Sequence, residues 1–429
     1  MDKMKTDAEN LLTSSWFSFW AYSATAGHGH ETQRNVNVEP RVAHRGDDME
    51  QSVKDLLADN FWIMPATPEY VDKGVPYITS KNIKNGTIDF SKVNYISQED
   101  YENISKNRPI LVGDILISMI GTLGETAEVK ESDGLFYGQN MYLVRIDESK
   151  VNKRYFLNFF KSNCVKRALE GKQNQSTQKY LKANHIEDLI IQVPDVTKQE
   201  LIAKQLDKLA YIITLRTNEL KQLDNLIKAR FVELMDSVEL SEETTVEKIT
   251  EIVKVGFVGT CEKFYTDESG IPMLRTGNIT DKGIDLKDLK YVTEEFHEKN
   301  KKSQIHEGDL LIARHGSNGQ ANVYYGAEAQ CLNAVVIVPN QSVARSIFLA
   351  GLINSPMVKE QIDRTLVGST QHVVNTKSIA SLKVRIPDLT VQKQYEDFVY
   401  QVDKSKVVVQ KALDETQLLF DSLMQKYFG

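Results

Sequence analysis

The strongest constraint on the fold of this chain is an internal repeat. Four segments recur in the same order: Val75–Ile83 as Ile271–Ile279, Gly113–Ser118 as Gly308–Ala313, Ser176–Gln178 as Ser369–Gln371, and Leu189–Asp195 as Leu382–Asp388. The offset is 196 residues at the first match (278 − 82) and 193 at the last (388 − 195). Ordered matches at a nearly constant offset indicate a duplicated structural unit. The chain is therefore predicted to fold as two related copies of one unit.

Each copy begins with short apolar runs followed by a helical pattern. Strands are predicted at Gly113–Ile120, Tyr142–Ile146, Gly308–Ala313 and Ala334–Val338. A helix is predicted at Tyr155–Glu170, where apolar residues recur at helical spacing, and Ser346–Leu366 is its expected counterpart. These patterns predict a mixed α/β (α+β) module in each copy.

A long helix is predicted after each module. Proline and glycine are absent from Thr197 to Val238 and from Thr390 to Phe428, and Thr197 and Thr390 are the expected N-caps. Apolar residues at alternating spacings of four and three form a stripe along both segments: Ile202, Leu206, Leu209, Ile213, Leu220, Leu223 and Ile227, then Val399, Val402, Val409, Leu413, Phe420 and Leu423. The stripe has the same phase in both copies and is typical of a coiled coil.

Helices of about 40 residues are roughly 60 Å long at 1.5 Å per residue. They are therefore longer than the diameter of a module of about 150 residues. The two helices are therefore predicted to pair with each other, and antiparallel pairing puts the modules at opposite ends. The alternative is that each helix packs only on its own module. The expected division is an N-terminal extension at 1–50, globular modules at 51–196 and 241–389, a central helix at 197–240 and a C-terminal helix at 390–429.

Composition excludes several classes of protein. No run of 18 apolar residues predicts a membrane span, and no signal peptide is evident. Cys164, Cys261 and Cys331 are widely spaced, which favours a reducing compartment and disfavours a disulfide framework or a zinc site. We expect a cytoplasmic protein. The net charge of −7 disfavours nucleic-acid binding over the whole surface but leaves room for a local basic groove.

Catalytic signatures are missing from the sequence. It contains no Gly-rich phosphate loop with Lys-Ser/Thr, no His-Glu-x-x-His, no Gly-x-Ser-x-Gly and no Cys-x-x-Cys. No metal site is predicted, because His28 and His30 have no further ligand close in sequence. The glycine pairs in Gly121–Gly124 and Gly316–Gly319 fit either a weak phosphate signal or, more simply, a tight turn after a strand.

Polar side chains gather near the Gly-Asp strand of each copy. In the first copy the candidates for DNA binding are Ser80, Lys81, Asn82, Lys84, Ser118, Thr122 and Gln139, next to Asn140. In the second they are Arg275, Thr276, Asn278, Arg314, His315, Ser317 and Asn318, together with Gln330 and Asn333. Arg and Lys suit guanine, and Asn and Gln suit adenine. The alternative for each residue is a solvated turn surface.

The strongest local charge lies between Lys161 and Lys182. Six basic residues stand against one acid, Glu170, a balance of 6 − 1 = +5. This segment contains a flexible basic loop whose candidate contacts are Lys172, Gln173, Asn174, Gln175, Thr177, Gln178 and Lys179, and its counterpart offers Ser369, Thr370, Gln371 and His372. Such a loop suits phosphate and base-edge contacts together. The alternative is an ordinary solvated loop.

The paired order of these marks resembles the DNA specificity subunit of type I restriction-modification systems. The marks are Val/Ile-Pro-x-Ile/Leu, Gly-Asp-Ile/Leu-Leu-Ile, Ser-Thr-Gln, and Val/Ile-Pro-Asp before a helix that begins with Gln199 or Gln392. The resemblance covers about Val53 to Gly429 and leaves the first fifty residues without a counterpart. It implies that each module reads one half of a split site in double-stranded DNA and that an antiparallel coiled coil sets the spacing.

The resemblance also implies partners. The coiled coil is expected to dock two methyltransferase subunits that carry S-adenosylmethionine, while this chain binds no cofactor and no metal and has no catalytic residues. Restriction-translocase subunits are expected to join for cleavage. Two other hypotheses stay open: a scaffold or decoy of the same shape that binds proteins and no DNA, and an enzyme with an unrecognised site. Since different modules of such proteins read different sequences, the candidate residues rest on their chemistry alone.

Overall fold

A computed structural model describes residues 49–63, 68–171, 180–280, 283–314, 319–366 and 373–429. The chain divides into two compact units, Met1–Asp48 and Met49–Gly429, and the description below concerns the second unit. No helix among the described residues is both long enough and apolar enough to cross a bilayer.

The first copy contains twelve strands and five α-helices among its described residues. The strands are Met49–Ser52 (β1), Leu57–Ile63 (β2), Tyr70–Val71 (β3), Val75–Thr79 (β4), Ile83–Lys84 (β5), Thr87–Ile88 (β6), Asn94–Ile96 (β7), Ile115–Ser118 (β8), Thr126–Glu128 (β9), Tyr137–Gln139 (β10), Met141–Ile146 (β11) and Ile190–Val193 (β12). The helices are Gln98–Ser105 (α1), Lys153–Lys161 (α2), Asn163–Gly171 (α3), Ala183–Glu187 (α4) and the central helix Val196–Ser237 (α5).

The second copy follows in the same order. Its strands are Thr244–Thr245 (β13), Thr250–Val255 (β14), Tyr265–Thr266 (β15), Ile271–Leu274 (β16), Ile279–Thr280 (β17), Gly283–Ile284 (β18), Lys290–Val292 (β19), Gln304–Ile305 (β20), Leu310–Ala313 (β21), Ala321–Val323 (β22), Ala329–Cys331 (β23), Ala334–Pro339 (β24) and Lys383–Val384 (β25). Its helices are Glu294–Lys299 (α6), Ser346–Asn354 (α7), Pro356–Leu366 (α8), Thr376–Ala380 (α9) and the C-terminal helix Leu389–Phe428 (α10).

Sheet topology confirms the mixed α/β class and the duplication. An antiparallel sheet of order β2-β11-β8-β9 in the first module matches β14-β24-β21-β22 in the second. The other main sheet is mixed, with order β10-β4-β7-β3 in the first module and β15-β19-β16-β23-β20 in the second. In both copies one pair of strands in this sheet is parallel, β4 with β10 and β16 with β23. The repeat in the sequence is thus a repeat of strand order.

The repeated Gly-Asp motif builds the turn that leads into a buried strand. Gly113 and Gly308 have φ values of 90° and 91°, a left-handed conformation that favours glycine. The next residues, Asp114 and Asp309, are buried and accept the backbone N–H of Leu111 (2.7 Å) and of His306 (3.0 Å). A single dipeptide therefore supplies both the backbone conformation and the acceptor that closes the turn.

The helix after the core strands is broken in both modules, so the single helices predicted at Tyr155–Glu170 and Ser346–Leu366 were wrong in extent. The breaks fall at Ser162 and Ser355, which have extended backbones with ψ values of 152° and 151°. Pro356 follows the second break, and a proline disfavours the helical conformation in the residue before it. At the first break the hydroxyl of Ser162 accepts the N–H of Val165 at 3.3 Å and starts the next helix.

The long helices begin one residue before the predicted N-caps. The side chain of Asp195 accepts the N–H of Lys198 at 3.0 Å, and that of Asp388 accepts the N–H of Thr390 at 2.8 Å. Thr197 and Thr390 therefore lie inside the helices, and the cap prediction was wrong. Aspartate caps at least as well as threonine does, and Asp195 and Asp388 have the non-helical ψ values of an N-cap, 153° and 164°.

The two long helices pair with each other in antiparallel fashion. Tyr427 bonds to Gln205 near one end of the pair, at 3.2 Å, and the Arg230 guanidinium lies 5.9 Å from the Phe398 ring near the other. No member of the predicted stripe is exposed on either helix. The predicted antiparallel pairing of the helices is thereby confirmed, and the alternative that each helix packs only on its own module is excluded.

Each module core is completed by both helices. Ile202 and Leu206 from α5 join Met424 and Phe428 from α10 in the core of the first module. Phe231, Leu234, Tyr395 and Val399 do the same in the second module, at the other end of the pair. The modules consequently lie at opposite ends of one antiparallel rod.

Candidate nucleic-acid interface

Three separate parts of the first module meet at one place, here called the first corner. It is formed by the short turn Ser80–Asn82 after β4, by Ser118 at the end of β8 and by Gln139 at the end of β10. The Ser80 hydroxyl donates to the carbonyl of Asn140 and accepts the N–H of Met119 at 3.3 Å. The structure thus brings together candidates that lie up to about 60 residues apart in the sequence.

The second corner is the equivalent place in the second module and holds an arginine. Arg314 follows β21, and its Nη1 donates to Oδ1 of Asn333 at 2.9 Å. Its Nε donates to the carbonyl of Val374 at 3.4 Å, and the Thr276 hydroxyl donates to the carbonyl of Asn333 at 3.1 Å. The guanidinium is therefore held from two directions while remaining partly accessible.

The asparagine at each corner is a turn residue. Asn140 and Asn333 have φ values of 62° and 53°, in the left-handed region that asparagine tolerates better than most residues. They stand at an offset of 193 (333 − 140) and offer their carbonyls to the corner hydroxyls. This supporting role was not predicted, although an asparagine directly after a strand in both copies was a usable signal.

Asn82 and Asn278 were predicted to contact bases, and the structure contradicts both assignments. Asn82 donates to the carbonyls of Asp89 (2.8 Å) and Lys92 (3.1 Å), and its Oδ1 accepts the N–H of Thr79 at 2.9 Å. Asn278 makes the same three kinds of bond, to Asp285, Lys287 and Arg275. Both side chains are buried and their amide groups are engaged, so they hold the corner loop rather than face a ligand.

Two predicted serines also serve the fold. Ser80 is buried and engaged as described above, and Ser118 is only 1% exposed. The Ser118 hydroxyl donates to the carbonyl of Thr122 and accepts the N–H of Glu125 at 3.0 Å. These bonds close the turn that contains Gly121 and Gly124, with φ values of 84° and 76°. In the first copy, the glycine pair is therefore a tight turn.

Seven candidates among the described residues face solvent wholly or in part. Lys81, Lys84 and Thr122 are exposed, and Gln139, Arg275, Thr276 and Arg314 are partly exposed. The Lys84 ammonium forms an ion pair with Asp89 at 3.1 Å, and hydrogen bonds from Ser91 together with this lysine lower the pKa of Asp89 to about 2. Nη2 of Arg275 donates to the carbonyl of Asp288 at 3.0 Å. These residues stay predicted DNA contacts.

The remaining candidates lie outside the described residues. They are Lys172, Gln173, Asn174, Gln175, Thr177, Gln178 and Lys179 of the first copy and His315, Ser317, Asn318, Ser369, Thr370, Gln371 and His372 of the second. The chain after each Ser-Thr-Gln segment is described, and it returns to the corner. Leu181 N–H bonds to the Met119 carbonyl at 2.9 Å, and Val374 N–H bonds to the Arg314 carbonyl at 3.1 Å.

Four exposed basic side chains lie on the segment that follows the core strands of the first module. Lys161, Lys166 and Arg167 on α2 and α3 are exposed, as is Lys182 just after the returning segment. An exposed aromatic residue missed by the sequence analysis, Tyr180, lies in the bridge to Ile120 beside this corner. Cations can neutralise phosphates, and an aromatic ring can stack or pack against a base or sugar.

Together, the fold and the two corners define a two-headed recognition protein, in which an antiparallel coiled coil holds one α/β module at each end. A family model, the type I restriction modification DNA specificity domain, matches twice, at residues 62–225 and 241–415. The chain belongs to the family of type I restriction-modification DNA specificity proteins.

Named relatives and a solved structure agree with this family. The chain is 21% identical over 389 residues to the type I restriction enzyme EcoBI specificity subunit of Escherichia coli, covering 83% of this chain and 79% of that one. It is 25% identical over 355 residues to the putative MjaX specificity subunit of Methanocaldococcus jannaschii, covering 75% and 78%. The crystal structure of a type-I restriction-modification system S subunit from M. genitalium has a similar fold, with a TM-score of 0.55, 13% identity and coverage of 91% and 98%.

Proposed function

We propose that this chain, as the specificity subunit of a type I restriction-modification system, reads a bipartite and asymmetric target in double-stranded DNA. Each module reads one part, and a few undefined base pairs separate the two parts. The observation that carries this proposal is the antiparallel rod with one corner-bearing module at each end. The chain itself supplies no catalytic residue.

The length of the rod supports a split target. The central helix has 42 residues and the C-terminal helix has 40, which gives rods of roughly 60 Å. One turn of B-DNA is about 34 Å, so the modules can face the same side of a duplex between one and two turns apart. A single continuous site of a few base pairs would not engage both corners.

Differences between the corners support an asymmetric target. Arg314 of the second corner corresponds to Met119 of the first (314 − 119 = 195), and Arg275 corresponds to Thr79 (275 − 79 = 196). Arginine is suited to two hydrogen bonds with guanine, whereas methionine is fully buried in the first module. Equal scaffolds therefore present different chemistry, and the two half-sites are expected to differ.

The rod also carries two apolar patches related by the repeat. Leu215 and Leu226 on the central helix are each 47% exposed, and Val408 and Leu419 stand 193 residues later, at 69% and 50%. In the heptad defined by the stripe, Leu226 and Leu419 lie on the flank opposite Phe231 and Met424, which enter the module cores. Exposed apolar patches that repeat by symmetry suit two copies of one partner.

We assign these patches to two methyltransferase subunits, which would bind S-adenosylmethionine and perform the chemistry. Restriction-translocase subunits would join the complex for cleavage. Two patches of equal chemistry support two copies of the methyltransferase, and this chain needs no cofactor of its own in the scheme. The cytoplasm, where the DNA and these partners are found, is the proposed location.

Duplex binding by the complex with its methyltransferase tests the proposal. Genome methylation mapping first gives the target sequence. A fluorescence titration then measures the affinity of the complex for this duplex at increasing salt concentration. Native mass spectrometry gives the number of methyltransferase copies in the complex. We expect two copies, a bipartite target and an affinity that falls steeply with salt as phosphate contacts are lost. A scrambled duplex of equal length is the control for non-specific binding.

The scaffold or decoy is the second candidate function, and exposed apolar patches on the rod are the observation that favours it. It predicts the same complex with methyltransferase but equal, weak affinity for target and scrambled duplex at every salt concentration. That outcome would contradict the proposal. Turnover of S-adenosylmethionine by the chain alone would instead support the enzyme hypothesis.

A further inference from the structure

Two glutamines are fully buried where the long helices leave the modules. Gln199 and Gln392 are 0% exposed and lie in the first turn of the central and C-terminal helices, at an offset of 193 (392 − 199). Glutamine is mostly exposed in proteins, and a buried amide is costly unless its hydrogen bonds are made. Two equivalent glutamines buried at the starts of both long helices indicate a shared structural role.

The side chain of Gln199 joins three segments. Its Nε2 donates to the carbonyl of Pro194 at 2.7 Å, just before the helix, and to the carbonyl of Lys150 at 3.2 Å. Its Oε1 accepts the N–H of Asn152 at 2.7 Å. Lys150 and Asn152 belong to the loop between the core strand β11 and helix α2. One amide therefore ties the start of the rod to the body of the first module.

Gln392 makes the same set of bonds in the second module. Its Nε2 donates to the carbonyls of Pro387 and Val343, each at 3.0 Å, and its Oε1 accepts the N–H of Arg345 at 2.9 Å. Val343 and Arg345 belong to the equivalent loop, between β24 and α7. The two attachments are thus the same in partner type, direction and place.

Only a glutamine fits this arrangement. Two backbone carbonyls need donors and one backbone N–H needs an acceptor, and a primary amide supplies two N–H donors and an oxygen. A glutamate would bring a carboxylate oxygen against the two carbonyls, and an asparagine would be one methylene too short. The apolar contacts that hold each module on the rod are not directional, whereas hydrogen bonds weaken quickly when the angle changes.

We propose that Gln199 and Gln392 are positioning residues that fix the angle at which each module leaves the rod, and that they thereby set the spacing between the two half-sites. This inference rests on the proposed function, because spacing matters only for a bipartite target. The glutamines touch no DNA in this scheme. They act through the orientation of the modules that carry the corners.

The test compares spacer preference in the complex with methyltransferase, using duplexes that keep both half-sites and vary the spacer by one base pair at a time. The variants are Gln199→Met, Gln392→Met and the double variant, with Gln425→Met, an exposed glutamine of the C-terminal helix, as the control. Spacer preference is the ratio of the affinity for the best spacer to the affinity for spacers one base pair longer or shorter. We expect this ratio to fall about tenfold in the double variant. Binding to a duplex with one half-site should change by less than about twofold. Gln425→Met should behave as wild type.

A second measurement reports the module angle without DNA. Spin labels at Glu99→Cys and Glu294→Cys, both exposed and one on each module, give a distance distribution in a Cys164→Ser background. We expect this distribution to broaden in the methionine variants. If methionine prevents folding, Gln392→Glu replaces it. Its distribution should narrow at acid pH, where a protonated carboxyl regains one donor.

The outcomes separate the two proposals. Variants that fold, keep a narrow distance distribution and keep the wild-type spacer preference overturn the positioning role. A purely structural role would lower the unfolding midpoint without changing spacer preference, and that result also overturns it. A wild-type complex with no spacer preference contradicts the bipartite function itself, and the label distances would still show whether the glutamines fix the angle.

Discussion

At the second corner, Arg314 is the side chain whose reach and support best suit a base contact. Asn333 and the Val374 carbonyl hold its Nη1 and Nε, and the side chain is still partly exposed. Holding an arginine in place reduces the side-chain entropy that is lost when it binds. Its chemistry favours a guanine, through paired hydrogen bonds to O6 and N7.

Arg314→Ala should relax recognition at one position of one half-site. We expect discrimination there to fall by about 1–3 kcal/mol, because one bidentate contact is lost, while the other half-site keeps its sequence preference. Competition with duplexes substituted at each position of the mapped target measures this. Lys84→Ala is the control, because Lys84 is an exposed lysine of the other module. Its loss should weaken binding to all duplexes alike and reduce the slope of log affinity against log salt concentration by about 1. A uniform loss in Arg314→Ala would contradict the base-reading role.

The sequence predicted that Ser80, Ser118 and Gln139 lie near one another, but it did not predict which side chains at the corners are exposed. Lys81 and Asn82 are neighbours and were both predicted to contact DNA, but only the lysine is exposed. The difference arises from the turn Ser80–Asn82, which directs the asparagine to the carbonyls of Asp89 and Lys92. These carbonyls are brought there by later strands, so no local pattern around Asn82 reports them.

At the scale of the helices, one charged cluster interrupts the apolar seam of the rod. Lys406 occupies a stripe position, and its ammonium pairs with Asp224 of the other helix at 2.8 Å and with Asp403 of its own helix at 3.4 Å. Burial opposes the charge of Lys406, but the ion pairs outweigh it and raise its pKa. Burial raises the pKa of Asp403 by more than Lys406 lowers it.

Lys406→Ile should destabilise the rod in a pH-dependent way. Asp403 loses its partner, so its pKa rises further, and a raised carboxyl pKa costs stability as the pH increases through it. We expect a loss of about 1 kcal/mol at pH 7, kept small because Asp403 is still 38% exposed, and almost none near pH 4. Thermal unfolding at both pH values measures this.

Two variants control for the helix itself. The double variant Asp403→Ala with Lys406→Ile reproduces Ala210 and Ile213, the residues 193 positions earlier in the central helix, and should recover the lost stability. Lys411→Ile, at a side chain that is 75% exposed, should have little effect at either pH. If Lys406→Ile lowered the stability equally at pH 4 and pH 7, the ionisation of Asp403 would not be the cause.

The stripe could be predicted because a coiled-coil seam repeats every seven residues and needs no distant information. Both caps were mispredicted by two residues, since Asp195 and Thr197 are both good capping residues and only the backbone geometry distinguishes them. The hydrogen bonds of Gln199 and Gln392 could not be predicted from the sequence. A glutamine at a helix start is ordinary, and its burial depends on a loop about 50 residues earlier.

At the scale of the whole molecule, the proposed function makes the rod a rigid spacer between two DNA-reading modules, and its length should then determine the spacing of the target. One heptad inserted in both helices lengthens the rod by about 10 Å, or about three base pairs, and turns the second half-site by roughly a third of a DNA turn. Three heptads add about 31 Å, close to one full turn of about 34 Å.

We therefore expect three matched heptads to move the preferred spacer up by about nine base pairs, and one matched heptad to weaken binding at all spacers. Methylation mapping with the lengthened chain, followed by titration on a spacer series, measures both. Insertion in only one helix serves as the control, because it breaks the pairing seam. An unchanged spacer in the matched variant would refute the idea of a fixed ruler.

The way the rod closes on both modules has a consequence for synthesis on the ribosome. Met424 and Phe428, near the end of the C-terminal helix, belong to the core of the first module. In the second module the core residues that come from the two long helices include Phe231, Leu234, Tyr395 and Val399. All four are translated before Met424. The module translated first is thus the last to obtain its full core, because it has to wait until the end of the C-terminal helix is made.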